Sequence, residues 1–118
     1  MIALLATMLL AGQASAPRVV DVSPAVGAEI AAGKLAIKVT FDQPMRPGSY
    51  SFIARDKATY PTCATTPVQS ADGRSFTLDC SVEAGKTYWI GFNNERFRNF
   101  MSVDGVPAVP AALQFTAH

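Results

Sequence analysis

Short runs in which every second residue is apolar recur along this chain, each closed by a cluster of proline, glycine, asparagine or aspartate. The clearest is LAIKVTF at 35–41. It sets Leu35, Ile37, Val39 and Phe41 on one face, with Lys38 and Thr40 on the other. A period of two marks a strand with one buried face and rules out an amphipathic helix, whose apolar residues recur every three or four positions. RVVDVS (18–23) sets Val20 and Val22 on one face, and SYSFIA (49–54) centres on Tyr50 and Phe52. KTYWIGF (86–92) turns Tyr88, Ile90 and Phe92 inward and Trp89 outward, and ALQFTA (112–117) turns Leu113 and Phe115 inward. With TCATTPVQ (62–69) and SFTLDC (75–80) these runs predict an all-β fold, a seven-stranded antiparallel sandwich.

The first sixteen residues, MIALLATMLLAGQASA, do not belong to that pattern. They form an apolar run ending in Ala14-Ser15-Ala16, the small-residue motif of a signal-peptidase site. A signal peptide is expected at 1–16, and one sandwich domain at 17–118. The apolar run is too short to span a bilayer as a mature helix, and no apolar segment after it is long enough to do so. No cysteine stands immediately after the run, against a lipoprotein. All ten basic and nine acidic residues lie in the expected mature part. Their near balance, a net +1, argues against a nucleic-acid binder, which needs a concentrated basic face.

Two cysteines, Cys63 and Cys80, are expected to form a disulfide in an exported protein. Between them SADG (70–73) signals a turn. If Ser70 and Gly73 close the hairpin loop, Val68 faces Ser75, Thr66 faces Thr77 and Cys63 faces Cys80. Opposed cysteines suit a disulfide only at a position without ladder hydrogen bonds. Two free thiols holding a metal would need a second pair or a nearby histidine, and the sequence supplies neither.

Two stretches carry a resemblance. In VVDVSPAVGAEIAAGKLAIKVTFDQPM (19–45), one strand stops at Ser23-Pro24 and a loop with Gly27 follows. The next strand leaves through Phe41-Asp42-Gln43-Pro44-Met45. Pro24 and Pro44 end their ladders because proline has no N–H to give. This pattern resembles the bacterial Ig-like domain family known from S-layer proteins. VEAGKTYWI (82–90) is similar to the tyrosine corner of Ig-like and fibronectin-type sandwiches, with Ala84 where proline is usual. The resemblance implies that Gly85 makes a tight turn and that the Tyr88 hydroxyl returns to backbone near Val82 or Glu83. The tail SVDGVPAVPAALQFTA, with its Asp104-Gly105 turn, fits the same family.

The first motif also resembles the periplasmic copper-binding CopC-like family, another Ig-like barrel. That family holds copper through an N-terminal histidine, a second histidine and an acidic residue, with a methionine-rich loop for the reduced ion. Here the expected mature N-terminus is Pro17, the one histidine is His118, and Met45 and Met101 stand apart. No metal or other cofactor is therefore expected.

Catalytic chemistry finds no support either. One terminal histidine and a paired cysteine assemble no nucleophilic unit. The carboxylates, among them Asp42, Asp56, Asp72, Asp79, Glu83, Glu95 and Asp104, fall mostly in turns or at outward positions. Asp72 and Asp104 precede glycine, where a turn role suffices. No loop carries the run of oxygen ligands that calcium needs. The protein is expected not to be an enzyme.

NNERFRNF (93–100) remains. Arg96 to Phe100 contains no helix breaker, so one helical turn is expected there. Two readings stay open. Phe97 and Phe100, three apart, cap an end of the sandwich, with Asn93 and Asn94 bonding turn backbone and the arginines solvated or paired with Glu95 or Asp104. Alternatively the loop is a contact surface, because exposed arginine and aromatic residues are the types enriched at interface hot spots. Trp89, Arg96, Phe97, Arg98 and Phe100 are then the candidate contacts. The expected function is an exported, non-catalytic module, monomeric, with a binding or structural role in the cell envelope, meeting an envelope protein or glycan through the 93–100 loop. A CopC-like copper carrier and an accessory acting only through stability are the alternatives.

Overall fold

The computed structural model describes residues 15–118, so nearly all of the leader expected at 1–16 lies outside the described residues. Among the described residues nine strands form two facing sheets. In the first, β1 (Val19–Ser23), β3 (Gly33–Phe41), β7 (Ser75–Val82) and β5 (Thr62–Cys63) lie side by side, and β6 (Val68–Gln69) also pairs with β7. In the second, the order is β2 (Glu29–Ile30), β9 (Ala111–Ala117), β8 (Thr87–Phe92) and β4 (Phe52–Ile53). The sandwich architecture is the one the alternation predicts. Pairing is antiparallel except between β2 and β9, which run parallel.

Nine strands replace the expected seven for two reasons. Glu29–Ile30, too short to show a period, is recruited by β9. The run 62–69 is broken in two. Val68 pairs with Thr77 but Cys63 with Cys80, so two extra residues loop out around Pro67. The register near the turn consequently differs from the expected one. Ser70 N–H donates to the Ser75 carbonyl at 2.9 Å, leaving 71–74 as the loop, and Val68 does not face Ser75. The looped-out pair absorbs this offset, and Cys63 still meets Cys80.

The disulfide joins Cys63 and Cys80 with Cα atoms 3.9 Å apart. Ala64 N–H donates to the Asp79 carbonyl, so that neighbouring pair is hydrogen-bonded and 63–80 is not. Opposed residues approach most closely at non-bonded positions, which is why a cross-strand bridge fits here.

β3, β7, β8 and β9 supply most of the core. Ile37, Val39, Ile90, Leu113 and Phe115 are essentially inaccessible to solvent, each contributing about 1.5–3 kcal/mol of burial. β1 departs from its expected phase. Val19 pairs with Phe41 and Asp21 with Thr40, which leaves Val20 as a bulge residue, 61% exposed. The extra residue inverts the alternation, so Val19 and Val22 face the core instead of Val20 and Val22.

The corner after β7 closes as the resemblance implies. The Tyr88 hydroxyl accepts the Glu83 N–H at 2.7 Å, and its ring stacks on Phe115. Gly85 takes φ +83°, a left-handed conformation open to glycine without Cβ strain, and donates its N–H to the Ala117 carbonyl. Pro17 is the first buried residue among those described, and its carbonyl accepts Val109 N–H.

Candidate functional site

β8 ends at Phe92, and the chain then leaves the sheet in a loop held at two buried points. The first is Asn93, 3% exposed and in the left-handed region at φ +67°. Asparagine tolerates that conformation better than residues with bulkier side chains. Its amide donates to the Phe100 and Ala108 carbonyls at 2.8 and 3.1 Å, and its oxygen accepts Phe100 N–H at 2.9 Å. The second point is Phe100 itself, fully buried. Its ring lies 5.1–5.2 Å from those of Phe41, Phe52 and Phe76. Phe100 is therefore a core residue and not a contact. The expected surface loses it because Asn93 draws its backbone inward.

Residues 94–99 arch between these points without a helical turn. The Asn94 side chain explains the difference. Its Oδ1 accepts Arg96 N–H and Phe97 N–H, and its own N–H donates to the Phe97 carbonyl. Those side-chain bonds close a tight turn in place of helical backbone bonds. Arg98 Nε donates to the Glu95 carbonyl, while Asn99 donates to Ser51 Oγ and its carbonyl accepts the Ser49 hydroxyl. Phe97, 49% exposed, stands out of this tied loop with the Arg96 guanidinium 5.3 Å from its ring centre. Neither Arg96 nor Arg98 pairs with a carboxylate; the ion pair among the described residues is Lys86–Glu83.

Trp89 does not share this surface. It lies on the outer face of β8, half-buried over Gly91, under the Arg55 guanidinium at 5.1 Å. A Cβ on Gly91 would stand 2.9 Å from the Trp89 ring, so the absent side chain makes the seat for the indole.

Phe97 and Asn94 instead wall a groove of about 710 Å³ that the sequence did not reveal. It runs along the open side of the sandwich, between β4 and β5. Tyr50, Phe52, Tyr60 and Leu78 line it with Cys63. Burial pushes the Tyr60 hydroxyl pKa up. The runs around residues 50 and 60 come from separate loops, and only the edge-to-edge approach of the two sheets brings them together.

The carboxylates serve turns. Asp56 accepts both the N–H and the hydroxyl of Thr59, and Asp42 accepts Arg18 N–H. Asp72 accepts Ser70 Oγ and Arg74 N–H, and these bonds hold its pKa below the ordinary carboxylate value. Among the described residues no three His, Cys, Asp or Glu side chains cluster as a metal site. Met45, 1% exposed, is enclosed in the core, and His118 is exposed at the chain end. The donor set of a CopC-like copper centre is thus not assembled by these residues. No helix among the described residues is long and apolar enough to cross a membrane.

The solved structure of CopC from Methylosinus trichosporium OB3b has the same fold, with a TM-score of 0.62 over 86% of this chain and 92% of that one. At 24% identity the likeness extends to the fold alone. No curated protein sequence matches. A family model described as bacterial Ig-like domain matches residues 13–116. Together with the two-sheet topology and the closed tyrosine corner, that match makes the chain a member of the bacterial Ig-like domain family.

Proposed function

We propose that this protein is an exported, non-catalytic module of the bacterial envelope that holds a partner against the 94–98 loop and the groove beside it. The observation that carries this reading is the loop's construction. Its backbone is tied at Asn93, Asn94, Asn99 and Phe100, yet it exposes Phe97 and two arginines that have no carboxylate partner among the described residues. A rigid platform that presents an aromatic and cations loses little entropy when a partner binds. The disulfide and the leader-like N-terminus support an extracytoplasmic compartment. Protein recovered from the exported fraction is expected to begin at Pro17.

A photo-crosslinking amino acid placed at Phe97 tests the surface in cells. Its control is the same group at Val103, also exposed but on the 102–105 turn. We expect a discrete adduct from position 97 and none from 103. Equal labelling at both positions, or none at either, would overturn the contact surface. The fold shared with CopC favours a copper carrier as the second reading. Purified protein that retains copper through desalting would support it and displace the first.

A further inference from the structure

The groove is bordered by two strand edges that carry free backbone groups. β4 ends its sheet and pairs with β8 alone. Asn93 N–H donates to the Ser51 carbonyl, which makes 51–93 a hydrogen-bonded pair. Such pairs alternate in an antiparallel ladder, so Phe52, opposite Phe92, turns its N–H and C=O away from β8. The same alternation applies to β5. Ala64 bonds to Asp79, so Cys63 turns its backbone groups away from β7. No backbone group of another loop bonds to Phe52 or Cys63 among the described residues, and both residues line the groove.

The groove is lined mainly by apolar side chains, and cations stand on the segments beside it. Tyr50, Phe52, Tyr60 and Phe97 are only partly covered. Arg55 and Lys57 lie in the loop after β4, with the Arg55 guanidinium over Trp89 on the outer face, and Arg96 and Arg98 flank Phe97 on the loop that walls the groove. The accompanying carboxylates are Asp56 and Glu95, and Asp56 is occupied by Thr59. None of the four cations has a carboxylate within ion-pair distance among the described residues.

We infer that the groove takes an extended acidic peptide of a partner protein, which adds a strand to the free edge of β4. This deepens the contact-surface reading above and rests on it. Strand addition draws affinity from main-chain hydrogen bonds and specificity from pockets that receive alternate side chains. Here the apolar side chains of the incoming strand enter among Phe52, Tyr60 and Phe97, and its carboxylates meet Arg55, Lys57, Arg96 and Arg98. A second copy of this chain is disfavoured, because it brings the same cations to the seam. A glycan lacks the alternating donors and acceptors at strand spacing that the Phe52 edge offers.

The test starts from a display library of short random peptides panned against the intact, disulfide-bonded protein. We expect enrichment of sequences in which acidic and apolar residues alternate. The enriched peptide, synthesised, should slow hydrogen exchange of the Phe52 amide in NMR spectra. N-methylation of its alternate backbone nitrogens on the bonding edge should abolish binding. Arg55→Glu with Arg96→Glu, both at exposed positions, should weaken binding about tenfold or more, and added salt should weaken it further. Enrichment of basic or proline-rich peptides, or of none, overturns the inference. So does an acidic peptide that leaves the Phe52 amide unprotected or tolerates N-methylation. Binding of a polyanionic glycan such as alginate without Phe52 protection also overturns it. The contact surface stands separately. An adduct at position 97 with no peptide enriched sinks strand addition alone, and absence of both sinks both.

Discussion

Asn93→Ala is the substitution whose consequence is most fully determined by the geometry. Asn93 is 3% exposed, and its side chain serves three backbone groups. Truncation leaves Phe100 N–H and the Ala108 carbonyl without partners, whereas the Phe100 carbonyl keeps Ala108 N–H. Each orphaned buried group costs about 1–3 kcal/mol, so the pair costs about 2–6 kcal/mol together. Alanine at φ +67° keeps the Cβ crowding that asparagine already carries and loses the short polar side chain that eases it, about 1 kcal/mol more. Asn93→Gly loses the same hydrogen bonds without that crowding and should be about 1 kcal/mol less damaging than alanine. Trp89, the single tryptophan, reports unfolding in guanidinium by fluorescence. Both variants should lower the transition midpoint with an unchanged slope, alanine more than glycine. Two variants within about 0.5 kcal/mol of wild type would mean that the buried bonds carry no stability. Equal losses would mean that the backbone conformation at position 93 does not matter.

Replacing both Cys63 and Cys80 with alanine should cost about 3 kcal/mol, the loop-closure estimate for a bridge spanning 17 residues, and lower Tm by several degrees; an unchanged melting curve in oxidising buffer would refute it. Tyr88→Phe removes the acceptor of Glu83 N–H and should destabilise by about 1 kcal/mol in the same assay, with no loss meaning that the corner bond is dispensable. The Asp72 carboxyl, held low first by Ser70 and then by Arg74 N–H, should titrate below an ordinary aspartate by NMR, and Ser70→Ala should bring it back up. Because the folded value is depressed, the stability it contributes is present above the unfolded pKa and lost as pH falls through the folded one. Gly91→Ala should push the indole off its seat and shift Trp89 emission to the red, since the new Cβ has 2.9 Å to the ring; an unshifted spectrum would place the indole elsewhere.

Much of the fold was legible because the period of two is enforced wherever one strand face is buried. Leu35 to Phe41 and Tyr88 to Phe92 keep it without interruption, and their inward residues are the ones in the core. The period misleads where the backbone adds a residue, as at Val20, or where a strand is two residues long, as at Glu29–Ile30. The disulfide survived a wrong register near the turn, because the looped-out residues around Pro67 compensate. The candidate site was less legible. Arg96 and Phe97 could be picked out as unusual, but their distance from Trp89 could not, because successive residues of β8 serve opposite faces of the sheet.

The sequence by itself determined most of the strands and their buried faces, the cysteine pair and the tyrosine corner, since each depends on residues close in the chain or on a period that local geometry imposes. Tertiary structure alone decided that Phe100 goes inward and Phe97 outward. That choice rests on Asn93 reaching Ala108, fifteen positions away, and on an aromatic cluster drawn from both sheets. It also decided the groove, whose lining comes from four separate segments. A surface of that kind has no sequence signature. It exists only because two sheet edges, each with unpaired backbone, stop short of one another.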